Sequence, residues 1–428
     1  MKGILTMKFL VIGSGGREHA LVMSLHQSKR ASEIHCAPGN AGISKFAQCH
    51  NVKATDIDRM VELAKTLDVD MVVVAPDDPL VLGMVDVMNK AGFKTFGPNS
   101  LAAAIEGSKV FSKDLMKKYN IPTAGYEVFS DANSAIAYIK KQDTYPTVIK
   151  ADGLALGKGV VIAENFEQAE DAVDSIMSDK IFGDSGNNIV IEEFLTGPEV
   201  SVLSFCDGKT CVPMISSMDH KRALDDDKGL NTGGMGTIAP NPFYTKEIAD
   251  ECMKTIFMPT LKAMEDEGRP FKGCLYFGLM LTAKGPKVIE YNCRFGDPET
   301  QVVLPLLDTD IVDIFEAIWD EKLDSMDIKW KNEAASCVIM ASGGYPKKYI
   351  TGLEINGLDK KGQVEDAFVY HAGTKLEDDR IVTAGGRVLG VTCTGKDLKT
   401  ALSKSYKAVS KISFENAHYR KDIGKKAL

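Results

Sequence analysis

Apolar residues recur along the chain with two periods, and each change of period marks a change of element. Lys8–Ile12 is a short apolar run that reads as a buried strand. The turn Gly13-Ser-Gly-Gly-Arg-Glu-His19 follows, then a helical pattern through Leu25. Ile34–Ala37, Met71–Val74 and Lys94–Phe96 read as further strands. Between them Ile57–Leu67, apolar at positions 57, 60, 61 and 64, and Leu82–Lys90 read as helices. Strands alternating with helices predict a doubly wound parallel sheet over residues 1–108, a Rossmann-like N-terminal domain. The turns Ala37-Pro-Gly-Asn40 and Ala75-Pro-Asp-Asp-Pro79 fall on its carboxyl edge, where such folds bind ligands.

The next region changes character. Glu106-Gly-Ser-Lys109 opens a helix to Lys118, and Asp131 and Asn165 are N-caps of two later helices, the first over Ala132–Lys141. Pro146–Lys150 and Val160–Ala163 read as strands joined by the Gly-rich loop 151–159, and Asn188–Phe194 as a strand with Glu192 and Glu193 on opposite faces. Segment 124–196 therefore reads as a small α+β lid within a domain spanning 109–332. Val200–Phe205 and Val212–Ser216 pattern as strands of a larger sheet, and Lys246–Glu267 as one helix. Gly273–Leu281 and Lys287–Cys293 form a hairpin. Asp297-Pro298 predicts an N-cap with proline at the first helical position, and Asp310–Asp320 a further helix. Strands at Ala335–Ala341, Gln363–Tyr370, Arg380–Ala384 and Val388–Thr394, with a helix over Lys396–Lys411, make a C-terminal α+β domain, 333–428, whose charged residues form no obvious site.

Composition narrows the class. A chain of 428 residues holds roughly two to four domains. Its 44% hydrophobic and 26% charged content is that of an ordinary soluble protein. A net charge of −8 argues against a general nucleic-acid or membrane-surface binder. Nine cysteines without a Cys-x-x-Cys pair read as reduced cytoplasmic thiols, and the seven histidines show no metal-ligand spacing. No apolar run is long enough to span a bilayer. The first residues are too few and too polar for a signal peptide, and Met7 is a candidate natural start.

Candidate chemistry concentrates in a few stretches. Period two at Val288–Arg294 puts Ile289, Tyr291 and Cys293 on one face, and Glu290, Asn292 and Arg294 on the other. A carboxylate and an amide oxygen followed by a guanidinium suit Mg²⁺ and phosphate, although a half-exposed strand gives the same pattern. The loop after Lys150 reads as a flap over polyphosphate, since glycine lets backbone N–H groups approach oxygens. Its spacing is not that of a Walker loop. Lys109 is within reach of a phosphate, although a lysine on a helix surface is equally a solvated one. At the first turn Glu18 stands where a dinucleotide fingerprint needs glycine. What is left is a helix N-terminus that receives an anion, with Arg17 beside it. Asp219-His-Lys-Arg222 is dense in charge, and the loop Gly229–Gly236 is long and Gly-rich, as functional loops are.

GSGGREHA (13–20), EGSK (106–109), KADGLALGKGV (150–160), IEEFLTGPEVS (191–201), DHKR (219–222), NTGGMG (231–236), GLM (278–280) and EYNCRFGDPETQ (290–301) together resemble the ATP-grasp ligases, and among them the glycinamide ribonucleotide synthetases of purine biosynthesis. The likeness spans the first 300 residues, the C-terminal domain fits in length, and the last run is not shared by biotin carboxylases. The chain also ends without the fused domains of some eukaryotic relatives, like a stand-alone form. It departs at Asp77-Asp78, where the family usually reads Gly-Pro-Glu, and the shorter acid is expected to shift a substrate contact.

The resemblance implies an ATP-grasp fold. It also implies a monomer acting on ATP, glycine and 5-phosphoribosylamine, with no nucleic-acid or membrane partner. It assigns Glu290 and Asn292 to Mg²⁺ or Mn²⁺, and Lys109 and Lys150 to the phosphates of ATP. Gly153, Leu154, Gly157, Lys158 and Gly159 belong to the covering loop, Glu192, Glu193 and Leu195 to adenine, and Glu199 to the ribose. Arg294 would steady the transferring phosphoryl group or the glycine carboxylate. Asp219, Lys221, Asn231, Gly233, Gly234, Asp297 and Pro298 would line the acceptor side, and Gly15, Gly16, Arg17 and Glu18 would receive phosphoribosylamine. Lys150, Arg294, Asp219 and Lys221 are thus the expected catalytic group. Another ATP-grasp carboxylate–amine ligase is the alternative.

Overall fold

Buried apolar runs build the first layer. The computed structural model describes residues 5–154 and 159–428. Strands β1 (Met7–Gly13), β2 (Ala31–Pro38), β3 (Gln48–Cys49), β4 (Met71–Val74) and β5 (Lys94–Phe96) form a parallel sheet in the order β3-β2-β1-β4-β5. β1 lies between β2 and β4, and its two faces enter different parts of the core, Phe9 and Val11 on one side and Leu10 and Ile12 on the other, so all four are buried. The connecting helices are α1 (Gly16–Gln27), α2 (Ile57–Leu67), α3 (Asp77–Val81), α4 (Met84–Lys90) and α5 (Ser100–Gly107). The helix expected from Leu82 starts instead after Gly83, whose φ of +88° breaks the path, and the expected turn at Asp77 is helical.

α6 (Lys109–Lys118) leads into a smaller antiparallel sheet. It holds β6 (Tyr126–Phe129), β7 (Thr147–Ala151), β8 (Val160–Ala163) and β9 (Ile189–Glu193) in the order β6-β9-β7-β8, backed by α7 (Ala132–Gln142) and α8 (Phe166–Val173). Asp131 and Asn165 cap these helices, accepting from the N–H of Ser134 and Gln168.

β10 (Glu199–Asp207) and β11 (Cys211–Pro213) are followed by β12 (Met218–Asp219), β13 (Arg222–Leu224), β14 (Lys228–Asn231) and β15 (Gly236–Ala239). Then come α9 (Lys246–Cys252), α10 (Met258–Asp266), β16 (Lys272–Thr282), β17 (Gly285–Asn292), α11 (Thr300–Val303) and α12 (Ile311–Trp319). The central antiparallel sheet runs β11-β10-β16-β17. A π-helical turn at Met253–Phe257 interrupts what the sequence predicted as one helix. Phe96 of the first sheet stacks 4.2 Å from Phe315 and 5.8 Å from Phe295, and Phe295 meets Phe205 of β10 at 6.2 Å. This aromatic cluster joins the parallel sheet to the central one.

The alternation expected along β17 fails at one residue. Gly278 pairs with Glu290 and Leu279 with Val288, so Ile289 is the extra residue of a β-bulge. Val288, Tyr291 and Cys293 enter the core, whereas Ile289 turns to the cleft described below.

The last sheet is composite. β18 (Ala334–Ala341), β19 (Phe368–His371) and β22 (Arg387–Gly395) are joined by β12 and β15 in the order β12-β15-β18-β22-β19. β20 (Thr374–Glu377) and β21 (Arg380–Thr383) form a ribbon, and α13 (Leu398–Val409) packs on the sheet. The strand expected from Gln363 begins only at Phe368, because the Gln363 side chain bonds the N–H and C=O of Val369 and closes a loop. All nine cysteines are free thiols. Among the described residues no helix is long and apolar enough to cross a membrane.

Phe315 is 1% exposed at the centre of the aromatic joint. Phe315→Ala is expected to cost about 3–5 kcal/mol of stability in denaturant unfolding, with little change in nucleotide affinity.

Candidate active site

A cleft of about 840 Å³ opens where the lid sheet, the central sheet, α3 and the composite sheet face one another. At the lid end, Lys150 stands next to last in β7 with its Nζ 2.9 Å from Glu192 Oε1 and 3.1 Å from the carbonyl oxygen of Ile289. The bulge therefore supplies an acceptor to Lys150. Glu192 also holds Lys113 Nζ at 3.0 Å, and Lys113 donates to Thr123 Oγ1 at 2.8 Å. All three charges are buried, and burial, outweighing Glu192, pushes the Lys113 ammonium down to about 8. Glu193 lies on the opposite face, exposed, accepting from Gly125 N–H, which holds it below the usual carboxylate range.

Lys109 Nζ donates to Gly153 C=O at 2.9 Å, and Asp152 accepts from Ser108 and from Val110 N–H. These bonds tie the start of the Gly-rich loop to the first turn of α6. A Cβ at Gly153 would lie 2.4 Å from Ser185 Oγ, so this glycine serves packing. Leu154, Gly159, Leu195 and Glu199 line the cleft, while Gly157 and Lys158 lie outside the described residues.

Glu290 and Asn292 project side by side from β17 into the middle of the cleft. Glycine stands opposite at 278, where a Cβ would press on Glu290 Cγ at 3.1 Å. Lys221 Nζ lies 3.6 Å from Glu290 and 3.5 Å from Glu199. Burial raises the Glu290 pKa, but Lys221, Lys150, Lys109 and Arg294 outweigh it and keep the group anionic. One carboxylate and one amide oxygen at a cleft wall fit a hard divalent cation that takes its other ligands from phosphate and water.

Arg294 follows on the same side. Its Nη2 is 3.2 Å from Glu106 and 3.8 Å from Asp77, and its buried Nε has no partner. Glu106 also accepts from Cys293 N–H at 2.7 Å, which fixes the strand end. Asp77 is desolvated, yet Arg294 and then Arg17 hold it below the usual carboxylate range. The residue that departs from the family pattern thus faces Arg294.

At the far end Asp219, Lys221, Asn231 and Gly233 line the cleft together with Tyr276, Glu299, Arg387 and Lys426. Burial and then the neighbouring Glu299 push the Asp219 carboxyl well up. Gly234 has φ +113° and leaves no room for a Cβ, which would lie 2.5 Å from both Asp219 and Pro298. Gly234 and Pro298 are therefore packing partners behind the wall.

Three expectations are corrected. The N-terminus of α1 is not an open anion site, because carboxylates take part of it. Glu18 accepts from Gly15 N–H and Asp297 from Arg17 N–H, so two carboxylates already sit there. Gly15 and Gly16 pack against Glu18, Asp297 and Gln301, and of this turn Arg17 alone lines the cleft. Second, Asp297 does not cap its own helix. α11 starts at Thr300, and Asp297 bonds Arg17, Gln301 and Arg387 instead. Third, the C-terminal domain does supply site residues, Arg387 and Lys426. Glu106 and Glu299 lay inside conspicuous motifs but were not singled out. Lys113, Tyr276, Arg387 and Lys426 carried no local signal.

Taken as a whole, the parallel first sheet, the lid and the central sheet holding Lys150, Glu290 and Asn292 at one cleft define an ATP-grasp protein. The biotin carboxylase domain of Hydrogenobacter thermophilus 2-oxoglutarate carboxylase has this fold, with a TM-score of 0.75, 16% identity and coverage of 97% of this chain and 92% of that one. Residues 7–106, 107–300 and 335–426 match the N, ATP-grasp (A) and C domains of phosphoribosylglycinamide synthetase. The chain belongs to that family. It is 48% identical over 417 residues to the phosphoribosylamine–glycine ligase of Caldanaerobacter subterraneus subsp. tengcongensis, covering 97% of this chain and 99% of that protein. It is 46% identical over 426 residues to the Escherichia coli O157:H7 enzyme of the same name, covering 99% of each. The Thermotoga maritima phosphoribosylamine–glycine ligase superposes with a TM-score of 0.86 at 33% identity, covering 97% of this chain and all (100%) of that one.

Glu192 is the anion between two buried ammonium groups. Glu192→Ala is expected to cost about 3–5 kcal/mol in denaturant unfolding, and Lys113→Met added to it to restore part of that loss. A double variant no more stable than the single one would contradict this charge balance.

Proposed function

We propose that the protein catalyses ATP-dependent ligation of glycine to 5-phosphoribosylamine, forming glycinamide ribonucleotide, ADP and phosphate. The observation that carries this reading is one continuous cleft, from the Lys109–Lys150 end past Glu290, Asn292 and Arg294 to Asp219 and Lys221, in a chain of this family. A glycine carboxylate oxygen attacks the γ-phosphorus of ATP, the bond to the β–γ bridging oxygen breaks, and ADP leaves. The acceptor's amine nitrogen then attacks the carbonyl carbon of glycyl phosphate, phosphate departs, and the nitrogen loses a proton. No protein nucleophile is required, so the protein's part is positioning and charge stabilisation.

Lys109 and Lys150 would bind the phosphates of ATP, and the 153–159 loop would cover them and keep water from the acyl phosphate. Glu192, Glu193 and Leu195, at the lid hinge, would contact adenine, and Glu199 would meet the ribose. Arg294, already balanced by Glu106 and Asp77, would receive the glycine carboxylate or the transferring phosphoryl group. Glu290 and Asn292 would hold Mg²⁺ or Mn²⁺, which neutralises charge on the phosphate oxygens when bound. Asp219 would line the acceptor side together with Asn231 and Gly233. Lys221, between Glu199 and Glu290, would line the acceptor side.

The direct test is ADP release by the purified protein with Mg-ATP and glycine, with and without phosphoribosylamine generated in situ, and the product identified by mass. Turnover that ignores phosphoribosylamine would move the assignment to another carboxylate–amine pair. Glu290→Ala is expected to lower kcat at least ~10²-fold, by analogy with losing one electrostatic stabiliser. Near-normal turnover would remove Glu290 from the metal site. Chelation should abolish activity, and Mg²⁺ or Mn²⁺ should restore it. Lys150→Ala is expected to weaken ATP binding more than glycine binding in titrations.

A further inference from the structure

Asp219 and Lys221 reach the cleft, but the ring of His220 between them meets the end of the chain. Its Nδ1 lies 3.2 Å from Gly236 C=O, and its Nε2 receives the N–H of Gly424 at 3.0 Å. One tautomer satisfies both contacts: Nδ1–H donates to Gly236, and Nε2 accepts from Gly424. Burial, then the neighbouring Arg420, push this ring down to about 4, so it is neutral and can accept.

The C-terminal segment grips the same stretch at many points. Arg420 is 1% exposed and donates to Arg222 C=O, Asp227 and Asp422. Lys421 N–H bonds Asp225, and Asp226 N–H bonds Asp422. Ile423 packs where a Cβ at Gly236 would come within 2.7 Å of it, and Lys426 pairs with Asp227. The gripped stretch has little to hold it otherwise. All of β14 is exposed, and Asp226 and Asp227 have left-handed φ of 57° and 51°. A two-stranded ribbon in which Ala223 alone is buried is marginal by itself.

We propose that Arg420–Lys426 is a strap which, through His220, positions Asp219, Lys221 and the Asn231–Gly234 loop for the amine acceptor. The acceptor part of this proposal rests on the functional reading above. His220 is a positioning residue, since it has no call on the reacting atoms.

Three proteins test it: His220→Leu, His220→Gln and a chain ended at Ile423. Hydrogen exchange of amides 228–236 and the three substrate KM values are the readouts. His220→Leu and the shortened chain should each speed exchange, and His220→Leu should raise the KM for phosphoribosylamine about tenfold, the scale of one lost hydrogen bond. The KM for glycine and the Kd for a non-hydrolysable ATP analogue should stay within about twofold. His220→Gln, whose Oε1 can accept from Gly424, should stay near the wild type in both readouts. Unchanged exchange in His220→Leu and the shortened chain overturns the strap. An equal loss toward all three substrates overturns its positioning role. If wild-type protein ignores phosphoribosylamine, the functional reading fails instead. The KM comparison then uses whichever amine the wild type accepts, and exchange decides the strap independently.

Discussion

Asp297 is the point on which the rest of the arrangement depends. Its carboxylate accepts from Arg17 N–H at the start of α1, accepts from Gln301 on α11, and faces Arg387 on the composite sheet. Burial would raise its pKa, but Arg387 and Arg17 together hold it below the usual carboxylate range. Arg387 returns further bonds to the carbonyls of Asp297 and Gly233. One partly buried anion thus links the first sheet, the loop after β17 and the C-terminal sheet, and a truncated side chain there would leave Arg387 without this partner. The neighbouring glycines serve this approach, since a side chain at Gly15 or Gly16 would collide with Glu18, Asp297 or Gln301.

The cleft follows the same logic of balanced charge. Lys113 and Lys150 share Glu192, Arg294 is shared by Glu106 and Asp77, and Lys221 stands between Glu199 and Glu290. Each cation is held in place without a ligand, so little reorganisation is needed when an anionic substrate arrives. The β-bulge at Ile289 belongs to this scheme, because it turns a backbone oxygen toward Lys150 and leaves Glu290 and Asn292 on the cleft side. A bulge beside a site re-aims side chains that regular pairing would misplace.

Exposed segments at the Asp219 end of the cleft depend on distant chain. The loop at 231–234 is bounded by Arg387 on one side, and the stretch beneath it is gripped by residues 420–426 on the other. The composite sheet has the same origin, for β15 pairs with β18 some hundred residues later. Polar contacts of this kind join segments that have no apolar face of their own.

What the chain alone determined was local and periodic. Continuous apolar runs at 8–12 and 71–74 marked strands covered on both faces, Asp131 and Asn165 marked helix starts, and period two put Glu290 and Asn292 on one side of a strand. The sequence motifs carried the family. Tertiary structure decided everything that needed a partner far away. Asp297 followed by proline read as a local cap, but a carboxylate bonds whichever donors the fold brings nearest, and these were Arg17 and Arg387. The free helix start expected at Gly15–Glu18 was partly occupied, by Glu18 and Asp297, for the same reason. Lys113, Tyr276, Arg387 and His220 acquire their settings only through residues tens to hundreds of positions away. Hydrogen bonds and ion pairs act over a few ångströms of space, whatever the distance along the chain, so periodicity shows the faces and only the packed fold shows what meets them.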